Sequence, residues 1–96
     1  MKAVWSPTAL DDLKGLRTYI AEHDPAAAAA VAGTILDAVD TLKEFPAMGR
    51  AGRVPGTREF VITGYPYVVV YTVADEELRI ITVLHTARRW PPRRQE

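Results

Sequence analysis

Residues 57–90 read as three consecutive strands, and their spacing leaves few folds open. Phe60 and Ile62 alternate with Glu59 and Val61. Thr63, Gly64, Tyr65 and Pro66 then break the run as a turn does. Residues 67–73 are almost wholly β-branched and aromatic, the side chains that suit a pleated surface. Residues 74–77 form a polar link of hairpin length, and 78–84 are a last apolar run. Links this short force antiparallel neighbours, because a parallel return needs a crossover of about a dozen residues.

Apolar side chains fall on both sides of these strands. By strict alternation Leu78, Ile80 and Leu84 share a face with Thr82, while Ile81 and Val83 share the other with Arg79 and His85. Val68 and Val70 likewise oppose Val69 and Val73. A solvated face alternates polar with apolar. Both faces of this sheet are therefore expected to need cover, one from the chain and much of the other from a partner.

The first half supplies two helices. Trp5, at the end of a short strand-like run, reads as core. Ser6-Pro7 and Asp24-Pro25 are N-cap and first-turn pairs. Asp11 and Asp12 suit the positive end of the first helix dipole. Ala9, Leu13, Leu16 and Ile20 make one helical stripe; Ala28, Val31, Ile35, Val39 and Leu42 make another. The gap at His23-Asp24 permits only an antiparallel hairpin. Phe45-Pro46 stops the second helix. Residues 47–56 read as a surface connection without the Gly-Lys-Ser/Thr ending of a phosphate loop. The expected fold is α+β, in the order β-α-α-β-β-β, with a helical hairpin packed on one face of a mainly antiparallel sheet. Residues 1–91 are expected to be a single domain and 92–96 an extended, mobile tail.

Composition narrows the function. Ninety-six residues suit one domain. The start of the chain lacks a signal-peptide core, and no run of about 18 apolar residues predicts a membrane span. With no cysteine and only His23 and His85, neither a metal centre nor another cofactor is expected. The net charge is zero, but residues 1–46 carry −3 and residues 47–96 carry +3, every base in the second half being Arg. Arg50, Arg53 and Arg58 precede the first acid of their stretch, and Arg88, Arg89, Arg93 and Arg94 crowd the end. Arg presents a planar fork of donors to phosphate or to an acidic protein surface. The balanced charge argues against direct DNA binding by the chain alone.

Taken together, these residues resemble the RelE/ParE superfamily of toxins. The resemblance lies in Trp5-Ser6-Pro7, Ala9, Asp12-Leu13 and Tyr19-Ile20, then in Leu42, Phe45-Pro46 and Gly49-Arg50. Val54-Pro55-Gly56-Thr57-Arg58-Glu59 and Tyr65-Pro66-Tyr67-Val68-Val69-Val70-Tyr71 are similar to the ParE branch in particular. Val83-Leu84-His85, Ala87-Arg88 and Trp90-Pro91 are similar to its C-terminal signature. The resemblance spans residues 4 to about 91. It implies a RelE-like fold and the toxin of a type II toxin–antitoxin pair. It further implies a cytoplasmic plasmid-stabilisation protein in a hetero-oligomer with a cognate ParD-like, ribbon-helix-helix antitoxin. The ParE branch implies inhibition of DNA gyrase; the RelE branch implies ribosome-dependent cleavage of messenger RNA; a non-toxic antitoxin-binding module is a third alternative.

Metal-free RNA cleavage needs a base, an acid and cations on the phosphate. Arg58, His85 and Arg88 are the candidates for it, since imidazole exchanges protons near neutral pH. Against that role stand the neutral charge, the absence of lysine after Lys43 and the last tyrosine at Tyr71. The expected target-binding surface is Arg58, His85, Arg88, Arg89 and Trp90, with Arg50 a weaker candidate. Trp90 reads equally as an interface anchor or as a lid on the core. The antitoxin is expected on the free sheet face or along an open sheet edge.

Overall fold

The computed structural model describes residues 1–92. Arg93, Arg94 and all of the expected tail but Pro92 lie outside the described residues. The elements are β1 (Lys2–Trp5), α1 (Pro7–Ala21), α2 (Pro25–Glu44), β2 (Arg50–Ala51), β3 (Arg58–Val61), β4 (Tyr67–Ala74) and β5 (Glu77–His85). One five-stranded sheet runs in the order β1-β5-β4-β3-β2. All its pairs are antiparallel except β1 with β5. The strand the sequence did not show is β2, two residues held by pairing with Arg58 and Glu59 rather than by local propensity.

Both helices begin where their caps predict. Ser6 Oγ accepts the Ala9 N–H at 2.9 Å, and Asp24 Oδ1 accepts that of Ala27 at 3.1 Å. A cap of this kind contributes about 1 kcal/mol. The predicted stripe of α2 is buried in full. By length and a mean hydropathy of 1.3, α2 would also pass as a membrane span. Here its apolar stripe is core instead, joining Ala9, Ile62, Val69, Tyr71, Leu78, Ile80 and Val83. The β4–β5 link is a two-residue turn with Asp75 and Glu76 at positive φ, matching the twist of its strands.

Two expectations fail here. Strict alternation put Leu84 and Thr82 with Leu78 and Ile80. In the structure Val70 pairs with Thr82 but Tyr71 pairs with Ile80, which leaves Ile81 as an extra residue in a β-bulge. The bulge exchanges the two faces beyond Ile80. Val83 therefore joins the helix-side core, and Thr82 and Leu84 point the other way.

The second correction concerns cover. The centre of the sheet face away from the helices carries Glu59, Val68, Val70, Thr82 and Leu84, none more than 6 % exposed, while Val61 at its margin is 43 % exposed. The chain itself hides this central part. The β2–β3 connection crosses it, with the Arg53 N–H donating to Glu59 at 2.8 Å. The segment after β5 folds back from the other side, so that Trp90 lines one cavity with Thr82 and Leu84. Arg53 Nη1 comes within 3.5 Å of the Trp90 carbonyl, joining the two covers. Trp90 itself stays half-buried, with part of its side chain in reach of solvent.

The edge of β5 beyond β1 is closed by α1. Ser6 Oγ donates to the Ile81 carbonyl at 2.7 Å. Asp12 Oδ2 accepts the Val83 N–H at 3.1 Å and the Thr82 hydroxyl. The carboxylate read as a dipole partner is thus a plug for an open strand edge, the kind of feature that otherwise invites a second chain.

Candidate functional site

His85 ends β5 opposite Tyr67, and their rings meet edge to face with centroids 5.7 Å apart. The turn that follows is fixed by three hydrogen bonds. Ala87 N–H donates to His85 Nδ1 at 3.0 Å, Arg88 N–H to the His85 carbonyl at 2.9 Å, and Thr86 N–H to the Pro66 carbonyl at 2.8 Å. This turn places Arg88 between two cavities. One, of about 330 Å³, is lined by Asp11, Asp12, Tyr19, Tyr67, His85 and Arg88. The other, of about 270 Å³, is lined by Thr8, Asp12, Leu84, Arg88, Arg89 and Trp90. His85, Arg88, Arg89 and Trp90 therefore do come together, at the end of β5 and beside the first turns of α1.

Arg58 does not join them. It pairs with Tyr71, whereas His85 pairs with Tyr67, four residues along β4. That separation is about 13 Å along the strand, plus two interstrand spacings across β4. The guanidinium of Arg58 donates to the Gly49 carbonyl at 2.7 Å and to that of Ala47 at 3.3 Å. It is spent on the loop after α2. The trio Arg58, His85 and Arg88 is consequently not one site. His85 Nδ1 already accepts a hydrogen bond from the Ala87 amide, which places the N–H of the neutral ring on Nε2.

Three residues outside the expected set organise the other end of the sheet. Tyr71, fully buried, donates its hydroxyl to the Pro46 carbonyl at 2.7 Å and accepts the Gly49 N–H at 2.9 Å. Burial pushes its pKa up, which keeps the donating proton in place. Glu59 is buried on the opposite face and accepts from the Arg53 N–H, with Arg53 Nε at 3.3 Å and Arg50 Nη2 at 3.4 Å. Burial raises its pKa, but the Arg53 amide and the Arg53 and Arg50 guanidinium groups outweigh this and hold it below the ordinary glutamate value. Arg53 in turn reaches Trp90. The only sequence signal for this network was Glu59 itself, a lone acid following three arginines.

A separate apolar groove lies between the helices on their outer side. It measures about 400 Å³ and is lined by Leu10, Leu13, Ala32 and Leu36, with Lys14 and Arg17 beside them. Leu10 and Leu36 are 42 % and 47 % exposed, so this groove is open, unlike the sheet face.

Residues 3–90 match the family described as the ParE toxin of the type II toxin–antitoxin system parDE. Y4kP, a candidate toxin of Sinorhizobium fredii, is 42 % identical over 87 residues, which cover 91 % of this chain and 90 % of that protein. Toxin RelE2 of Caulobacter vibrioides is 39 % identical over 87 residues, covering 91 % of this chain and 97 % of that one. The structure of the chromosomal ParDE toxin–antitoxin system of Pseudomonas aeruginosa superposes with a TM-score of 0.79 at 24 % identity, over 88 % of this chain and 95 % of that one, a likeness of fold.

Proposed function

This chain belongs to the ParE toxin family of type II toxin–antitoxin systems, and from that premise we propose that it arrests replication by binding DNA gyrase and is silenced by a ParD-like antitoxin. The observation that supports inhibition over catalysis is the separation of Arg58 from His85 and Arg88 by the length of half a strand. A cleaving site gathers base, acid and cation around one phosphate. This surface instead offers Arg88, Arg89 and a half-buried Trp90, groups suited to gripping a protein. Gyrase places the site of action in the cytoplasm, and a pair of this kind carried on a plasmid stabilises its inheritance.

The antitoxin segment seats in the helix groove rather than on the closed sheet face. Leu10, Leu13 and Leu36 offer the apolar floor for an amphipathic helix. Lys14 and Arg17 favour acidic residues along its flank. Supercoiling by purified gyrase tests the target. Inhibition relieved by the product of the adjoining gene is the expected result. Untouched gyrase with fragmented translated messages would point instead to the ribosomal activity that the name of the RelE2 relative suggests.

A further inference from the structure

The loop between α2 and β2 is held from beneath and apolar on top. Tyr71 binds the Pro46 carbonyl and the Gly49 amide; Arg58 binds the Ala47 and Gly49 carbonyls; Met48 N–H donates to the Phe45 carbonyl at 3.1 Å. Gly49 is buried against the Tyr71 ring, with no room for a Cβ. Yet Phe45 is 58 % and Met48 48 % exposed. A fixed backbone that shows two large apolar side chains to water is pre-organised for contact, because little freedom remains to be lost on binding.

The tip continues into charge. Arg50 follows Gly49 on β2, the outermost strand, and shares the buried Glu59 with Arg53. Arg53 then meets the Trp90 carbonyl. Phe45, Met48, Arg50, Arg53 and Trp90 thus form one band around the β2 edge of the sheet. Aromatics, Met and Arg are the residues enriched at protein interfaces, where Lys and exposed acids are depleted. Two guanidinium groups over one carboxylate leave a positive excess of about one charge, which favours an acidic partner. A nucleic-acid groove tracks the backbone with many uncompensated cations, and neither this band nor the neutral chain supplies them.

We infer that this band is a docking surface for the toxin's protein target, taking an acidic protein surface with an apolar pocket for Phe45 and Met48. Glu59 is its positioning residue, holding both arginines without facing the partner. The inference rests on the reading of the chain as a toxin that works by binding a protein, and it extends the contact well beyond the end of β5.

The test is the full-length double variant Phe45→Ala/Met48→Ala, compared with wild type in growth arrest, gyrase inhibition and affinity for the product of the adjoining gene. The expected result is at least about a tenfold loss of growth arrest and of gyrase inhibition, with antitoxin affinity unchanged. A variant as potent as wild type overturns the band. A wild type that arrests growth without touching gyrase, while the variant does not arrest, overturns the gyrase target and supports the band. Wild-type binding to RNA or DNA that the variant loses overturns the protein partner. A harmless wild type overturns both readings. Should the double variant also lose the antitoxin, Met48→Glu carries the same comparison with one exposed side chain changed.

Discussion

The hydroxyl of Tyr71 accepts the Gly49 N–H at 2.9 Å across 22 residues of sequence, and the Gly49 α-carbon lies against the same ring. Each residue fits only because of the other. Tyr71→Phe strands the Gly49 amide and the Pro46 carbonyl in a buried site, a cost of about 1–3 kcal/mol. In a chain of this size that is a fall in Tm of about 4–8 °C per kcal/mol. Gly49→Ala drives a methyl into the ring and is expected to destabilise as well. The double variant is expected to lose less than the sum of the two, because the smaller Phe ring edge leaves space where the hydroxyl was. Urea denaturation of the four proteins measures it.

Glu59 gives stability a definite pH dependence. Its folded pKa lies below the unfolded one, so the unfolded chain binds the proton more tightly. The stabilisation is complete above the ordinary glutamate value and is lost as pH falls through the lower folded value. Glu59→Gln keeps the shape and removes the charge. It is expected to cost about 1–3 kcal/mol at pH 7 and to flatten the acid limb of the stability profile. Equal acid sensitivity in the two proteins would refute the assignment.

Asp12 guards an edge. Asp12→Ala leaves the Val83 amide and the buried Thr82 hydroxyl without their acceptor. The expected loss is about 2–3 kcal/mol, with the Val83 amide becoming fast in hydrogen exchange relative to its neighbours on β5.

The antitoxin groove separates silencing from toxicity. Leu36→Glu changes an exposed position, so its effect on stability is expected to stay within about 0.5 kcal/mol. Growth arrest persists, while antitoxin affinity falls at least about tenfold and co-expression no longer rescues growth. Full rescue would move the antitoxin elsewhere.

What was legible in the sequence was local. Ser6-Pro7 and Asp24-Pro25 announce helix starts because a cap binds amides only three residues on. The β4–β5 pairing followed from the short polar link at residues 74–77. The bulge at Ile81 was not legible, because residues 78–84 are apolar at all but two positions and alternation cannot mark where the register slips. Neither was β2, whose two residues are a strand only beside Arg58 and Glu59. Arg58 looked free because the carbonyls that occupy it, Ala47 and Gly49, are brought to it by the fold. A partner was expected over the face of Val68 and Val70 because nothing local showed that the segment after β5 returns against Thr82 and Leu84 on it.

The pairing of Lys2–Trp5 with β5 has a consequence for birth on the ribosome. β1 has no strand neighbour until β5 leaves the exit tunnel, since among the described residues only β5 borders it. At about 5–20 residues per second the helical hairpin waits several seconds with its floor unbuilt. β1 thus pairs only once β5 is free of the ribosome, and the segment that brings Trp90 against Thr82 and Leu84 follows β5 directly.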